Sequence, residues 1–218
     1  MDISKYEYYR NDLGVLYNCD CLDILPYLEP VDLVLTDPPY GINLKASENG
    51  GIGRQNFEHI IGDNEIFDPS MLLNFNDCIL WGCNHYCHKI PPLKGQWYFW
   101  DKVKMNGLKL RIAEGEFAWH KLGTKPRAYR HLWSGAYRDS ESGVRSEHPT
   151  QKPIDLFLWC MSLSNTVGLV LDPFLGSGTT AVACERLKRR WIGIEIEEKY
   201  CAIAKKRIEA ERKQLKLF

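Results

Sequence analysis

Two stretches of this chain hold side chains whose types and spacing suit chemistry. The first is Thr36-Asp37-Pro38-Pro39-Tyr40-Gly41. It sets one carboxylate and one aromatic ring on the stiffest backbone available, because two consecutive prolines forbid both helix and ladder pairing. Turn chemistry alone also accounts for every residue of this hexapeptide, so it is read together with the second stretch. That is Val170-Leu171-Asp172-Pro173-Phe174-Leu175-Gly176-Ser177-Gly178-Thr179-Thr180. An apolar run, a tight glycine turn and a helix start follow in that order. Gly176 and Gly178 would let a ligand approach the backbone, and a helix N-terminus offers free N–H groups. Glu195 ends the next apolar run, at a spacing that suits ribose hydroxyls. The third glycine of a dinucleotide fingerprint is missing, and so is the lysine of a P-loop. A nucleoside-containing ligand fits this pattern and a nucleoside triphosphate does not.

Such groups must be positioned by strands and helices, and the patterning supplies them. Residues 31–35, apolar except for Asp32, read as a buried strand leading into Asp37. Residues 14–18 read as a short strand ending at Cys19-Asp20-Cys21, with a brief helix after it closed by Pro26. Residues 1–12 show no clear period and read as an N-terminal arm, and 41–66 as loop, with 47–53 its most flexible part. Asp68-Pro69 reads as a helix start, with Asp as N-cap. Strands are expected at 78–81, 97–100 and 117–119. Pro153 can open a helix through Met161, and 167–171 form a near-continuous apolar strand, as in a parallel sheet covered on both faces. A helix at 179–189, a strand at 191–194 and a last helix from about 197 to 214, with Tyr200, Ile203, Ala204 and Ile208 on one stripe, complete the chain. Strands alternating with helices imply an α/β fold with a mostly parallel sheet.

The chain has 218 residues, enough for one domain with a real core, and its 44% hydrophobic and 26% charged content is ordinary. No apolar run approaches the ~20 residues that cross a bilayer, and the first residues lack a signal-peptide layout. A cytoplasmic protein with reduced thiols is expected. Among eight cysteines, Cys83-Asn84-His85-Tyr86-Cys87-His88 invites a zinc reading. No second C-x-x-C pair completes a four-ligand spacing, so buried free thiols are expected and no metal. The net charge is zero but uneven: residues 1–93 hold 14 Asp/Glu against 5 Lys/Arg, and 94–152 hold 12 Lys/Arg against 6 Asp/Glu. Residues 120–147 mix bases with aromatics, among them Lys121, Lys125, Arg127, Tyr129, Arg130, His131, Trp133, Tyr137, Arg138 and Arg145. That mixture suits a surface that holds phosphates and stacks on bases, and it suits an irregular core edge equally.

TDPPYG, HPTQKP at 148–153 and LDPFLGSGTT, in that order, closely resemble the beta class of S-adenosylmethionine-dependent amino-group DNA methyltransferases. The resemblance covers 14–41 and 148–209 well and 42–147 poorly. It implies a single domain, 1–218, with a circularly permuted Rossmann-like class I methyltransferase fold and helices on both faces of its twisted sheet. Residues 42–147 would be the variable region holding a short target-recognition segment. Asp37 and the Pro38 carbonyl would accept hydrogen bonds from the exocyclic amine of a flipped-out base, Pro39 would stiffen the turn, and Tyr40 would stack on that base. For the cofactor, Asp20 would bind the adenine amino group with Cys21 nearby, and Glu195 the ribose. Asp37, Asp172, Phe174, Gly176, Ser177, Gly178 and Thr179 would surround the methionine moiety, with Thr150, Gln151 and Lys152 close by. Lys121, Lys125, Arg127, Arg130 and Arg138 would hold the phosphates of double-stranded DNA.

An exocyclic amine is a poor nucleophile because its lone pair is delocalised into the ring. Two fixed acceptors pull electron density back toward the nitrogen, so a methyl group can transfer in line with no metal and no covalent enzyme intermediate. Within the family, Asp-Pro-Pro-Tyr leans toward adenine N6, with cytosine N4 the alternative. Glutamine methylation in proteins usually has Asn where Asp37 stands, and a non-enzymatic DNA-binding module would not need every motif residue. The resemblance also allows a homodimer, a restriction-enzyme partner, and a bacterial, phage or mobile-element origin; the sequence locates none of these.

Overall fold

The computed structural model describes residues 1–43, 61–92, 94–103, 113–134, 137–141, 143, 151–166 and 168–215. Nine strands form one sheet: β1 (Glu7–Arg10), β2 (Gly14–Asn18), β3 (Leu33–Thr36), β4 (Cys78–Trp81), β5 (Gln96–Asp101), β6 (Gly115–His120), β7 (Arg127–Arg130), β10 (Val170–Asp172) and β11 (Trp191–Glu195). Their order is β1-β2-β11-β10-β3-β4-β6-β5-β7. The run from β2 to β4 is parallel throughout, whereas β1, and β6 against both its neighbours, are antiparallel. A separate ribbon pairs β8 (Trp133–Ser134) with β9 (Tyr137–Arg138).

Strands β3, β4, β10 and β11 are buried along their whole length, which is why they read as unbroken apolar runs. Three helices cover one face: α3 (Ile154–Leu163), α4 (Thr179–Arg186) and α5 (Glu198–Leu215). Phe157, Cys160, Val182, Cys201, Ala204 and Ile208 pack there on Leu33, Leu35, Ile79 and Trp81. The opposite face is covered by the single helical turns α1 (Cys21–Ile24) and α2 (Ser70–Leu73) and by the segment after β4.

The tenth strand in sequence lies between the third and the eleventh, the order expected of a permuted chain. From β3 the sheet grows toward β4, and from β10 toward β11, so the two connections leave in opposite directions. A cleft opens outside the carboxyl ends of strands at such a switch point.

Two expectations give way. The N-terminal arm is in part a strand: β1 pairs with β2, and Tyr8 and Tyr9 pack against the helical-face core. Asp68 is not the N-cap of the helix it precedes: Pro69 holds that place in the one-turn α2, although the Asp68 carboxylate does accept the Ser70 amide at 3.0 Å.

Candidate active site

Four acids stand in a row across four neighbouring parallel strands. Asp20 follows β2, Glu195 ends β11, Asp172 ends β10 and Asp37 follows β3. All four line one cleft of about 580 Å³, with Pro38, Pro39, Tyr40, Phe174, Gly176, Ser177 and Thr179. Side chains from opposite ends of the sequence therefore meet, because their strands are neighbours.

Asp172 fixes the two loops relative to each other. Its carboxylate accepts the Thr36 hydroxyl at 2.6 Å, the Thr180 hydroxyl, and the Phe174 amide at 3.1 Å. Burial pushes this carboxyl up to about 6, against the opposing pull of those donors. Thr36 immediately precedes Asp37, so the bolt sets the height of the Asp37 turn against the glycine loop.

That turn is held from below by Asp63, whose Oδ1 accepts the amides of Tyr40, Gly41 and Ile42 at 2.9–3.2 Å. Gly41 has φ +76°, and a Cβ there would stand 2.3 Å from the Glu65 carbonyl oxygen. The Tyr40 ring lies so close to Gly82 that a Cβ at 82 would come within 1.8 Å of it. His85 stacks on the Tyr40 ring at 5.0 Å and 15°.

Asp37 is paired within the protein. Its Oδ1 accepts the Tyr40 hydroxyl, and its Oδ2 lies 2.5 Å from Lys152 Nζ. Lys152 is also 3.0 Å from Glu116 Oε2, and Lys102 holds the other Glu116 oxygen. Burial pushes the Asp37 carboxyl up, Lys152 opposes, and Glu116 adds to the rise. Burial also acts on Glu116, yet Lys152 and Lys102 hold its carboxyl down at about 2. For Lys152, burial disfavours the charge, but Asp37 and Glu116 outweigh it and keep the ammonium protonated. Burial and the neighbouring Asp37 raise the Tyr40 phenol well above its ordinary range, so it acts as a donor.

On the cofactor side of the cleft, Glu195 accepts the Gly176 and Glu197 amides, each at 2.8 Å. Burial raises its carboxyl to about 7, beyond what those two bonds offset. Asp20 caps α1 through the Leu22 amide at 2.9 Å, and burial pushes the adjacent Cys21 thiol up to about 12. Arg207 of α5 clamps the glycine loop, donating to the Ser177 carbonyl at 2.7 Å and its hydroxyl at 2.9 Å.

Two sequence-based assignments are revised. Gly178, with φ +88°, faces α5: a Cβ there would meet the Ala204 Cβ at 2.9 Å, so helix packing rather than a ligand demands the glycine. Lys152 lines the same cleft as the glycine loop; its ammonium meets Asp37, and its carbonyl accepts the Thr179 hydroxyl. Lys121 is not a phosphate-facing cation: its ammonium caps the Leu73 and Phe75 carbonyls, and its amide bonds Cys78 at the amino end of β4, away from the cleft. Lys125 and Arg127 are exposed; Arg127 pairs with Tyr98, in register with Ala118 and with Trp81 at the carboxyl end of β4, and Arg130 pairs with the far end of β5 at Asp101. Arg138 stacks on Trp133, whose indole donates to the Gln151 carbonyl beside the cleft. Thr150 and Arg145 lie outside the described residues.

Lys102, Glu116, Asp63 and Arg207 were not singled out from the sequence, and His85 was named there only within the zinc-like segment. Glu116 left one trace: it is an acid two positions before the buried Ala118 of a strand, hence on its inward face. The zinc reading dissolves into packing, since Cys83 and Tyr86 are buried in the core and His85 stacks on Tyr40. All eight cysteines are free. Among the described residues, no helix is long and apolar enough to cross a membrane.

The DNA methylase family profile, for N6 and N4 enzymes, matches residues 76–206. M2.LlaDCHI of Lactococcus lactis subsp. cremoris, a Type II methyltransferase, is 27% identical over 247 aligned positions, covering 92% of this chain and 91% of that protein. The Type II methyltransferase M2.DpnII of Streptococcus pneumoniae is 46% identical over 81 residues, a match spanning 37% of this chain and only 30% of that protein. The crystal structure of an M1.HpyAVI–SAM complex is similar at a TM-score of 0.56 and 26% identity, over 89% of this chain and 100% of that one. PvuII DNA methyltransferase, cytosine-N4-specific, has the same fold at a TM-score of 0.62 and 18% identity, over 94% and 90%.

Proposed function

We propose that this chain, which belongs to the N6/N4 DNA methylase family, methylates the exocyclic N6 amine of an adenine flipped out of double-stranded DNA, with S-adenosylmethionine as methyl donor. The observation that carries this reading is the shared cleft: Asp37, Pro38 and Tyr40 line it together with Phe174, Gly176 and Glu195. An acceptor set for an amine and a cradle for a nucleoside thus face one volume.

The residues present fit the cofactor. Glu195 and Asp20 offer carboxylate oxygens at two adjacent strand ends, and Phe174 offers an apolar wall between the glycine loop and the cleft. S-adenosylmethionine supplies a methyl group on a positively charged sulfur. The protein does the rest by placement. Asp37, on its proline-stiffened turn, accepts from the amine and raises electron density on its nitrogen. Tyr40 offers a face to the extruded base, worth about 1–3 kcal/mol of stacking, which offsets part of the few kcal/mol spent on flipping. Adenine is favoured over cytosine by the Asp at position 37. The bacterial Type II relatives support a role beside a restriction enzyme in a bacterial cytoplasm.

The test is to incubate the protein with labelled S-adenosylmethionine and unmethylated plasmid DNA, digest the DNA to nucleosides, and identify the product by mass. N6-methyl-2′-deoxyadenosine is expected. N4-methyl-2′-deoxycytidine would overturn the choice of base, and no labelled nucleoside would overturn the activity. Asp37→Ala in the same assay should lose at least about a hundredfold in rate while binding the cofactor within a few fold.

A further inference from the structure

Both oxygens of Asp37 are already engaged in the arrangement seen here. Tyr40 donates to Oδ1, and the Lys152 ammonium lies 2.5 Å from Oδ2. An amine that takes Oδ2 from the side Lys152 now occupies must displace that ammonium. Lys152 is the partner with a second place to go, because Glu116 Oε2 is already 3.0 Å from its Nζ. It also needs one: its side chain is 5% exposed, and an ammonium that buried cannot stand alone. Glu116 is in turn anchored, since Lys102 holds its other oxygen.

We propose that Glu116 is the positioning residue that releases Asp37, by receiving the Lys152 ammonium when the target amine takes Asp37 Oδ2. This rests on reading Asp37 as the acceptor of that amine. The four groups Asp37, Glu116, Lys102 and Lys152 carry two negative and two positive charges. The shift moves one cation between two carboxylates it already touches and leaves the net charge of the site unchanged. Lys152 stays buried and paired throughout, so the exchange avoids the desolvation that a full withdrawal would bring.

Few other ionisable groups face this pair. Asp37 is faced by Tyr40 on its own turn, Lys152 before α3, Glu116 on β6, Asp172 at the end of β10 and Tyr86 after β4. Glu116 is faced by Lys152, by Lys102 after β5 and by Tyr40. Neutralising Glu116 therefore leaves Lys152 with Asp37 as its single carboxylate partner and removes one negative charge from beside Asp37.

The test uses E116Q and E116D, with unmethylated plasmid DNA as substrate. In E116Q, kcat should fall about tenfold or more, while the Kd for S-adenosylhomocysteine, measured by calorimetry, stays within about threefold. The acid limb of the kcat–pH profile should move to lower pH, because Asp37 ionises more readily without Glu116 beside it. A purely structural role would not move that limb. E116D keeps the charge on a shorter arm, so it should hold the parent's acid limb and lose less in kcat. Parent-like kcat and limb in E116Q would overturn the proposal, as would equal impairment of both variants with an unmoved limb. If the parent protein modifies no base, the reading of the site fails and this inference with it. If the parent is active and Glu116 proves indifferent, that reading survives and only this inference falls.

Discussion

Glu195 shows how one side chain can serve the fold and the ligand at once. Its two oxygens hold the amides of Gly176 and Glu197, and burial raises its carboxyl to about 7. A raised carboxyl is ionised only as the pH climbs through that value, and the ionised form is the better acceptor for ribose hydroxyls. Cofactor affinity should therefore be full above pH 8 and weaken below pH 6, by up to roughly tenfold across that span. Calorimetric titration of S-adenosylmethionine at pH 6 and pH 8 checks this, with Glu195→Gln expected to flatten the difference; an equal Kd at both pH values in the parent would remove the assignment. Glu195 and Asp37 were legible in the sequence because each ends an apolar run beside turn residues, a local signal. Glu116, Lys102 and Asp63 were not, because each acts on a group far along the chain. Nothing near position 116 indicates that a lysine at 152 will arrive between it and position 37.

At the scale of elements, the Thr36–Asp172–Thr180 bolt joins β3, β10 and α4 under the cleft. Folding raises the Asp172 carboxyl to about 6, so the folded state holds its proton more tightly than the unfolded chain does. The stability this gives is full below the ordinary carboxylate value near 4 and is lost as pH rises through 6. Asp172→Asn removes that neutral-pH loss while an amide can still meet both threonine hydroxyls. The variant should be more stable than the parent at pH 8, by about 1–2 kcal/mol after allowing for weaker hydrogen bonds. The gap should close at pH 4, as read by urea denaturation at both values. The same elements show what sequence patterning can and cannot carry. Buried strands such as β3, β4 and β11 are apolar up to the residue that ends them and stand out. Strand β1 does not, since its Glu-Tyr-Tyr-Arg pairs at the sheet edge and takes its burial from α5 and the core beneath it. The glycine loop was legible as a turn, but the reason for Gly178 lies in α5, whose Ala204 leaves no room for a Cβ.

Across the whole molecule, the sheet has two ends, and only one carries the row of acids. The basic middle segment spreads over both. Lys121 is spent on capping carbonyls at the amino end of β4, and Arg190 stands exposed just before β11 at the same end of the sheet. Arg130 and Arg138 sit on the cleft side, the latter braced on Trp133, which is tied to Gln151. A duplex that delivers a base to Asp37 must run along the carboxyl ends of the strands, where its phosphates can reach Arg130 and Arg138 but not the opposite end. Each cation that neutralises a phosphate adds about 0.9 to the steepness of log K against log salt. R130A combined with R138A should therefore make that slope shallower by roughly 2, measured by fluorescence anisotropy on duplex DNA over a salt series. Replacing Arg190, at the amino end of β11, by alanine should leave the slope nearly unchanged. The reverse pattern would mean that DNA approaches the amino ends of the strands, on the side of the sheet away from the proline-stiffened turn.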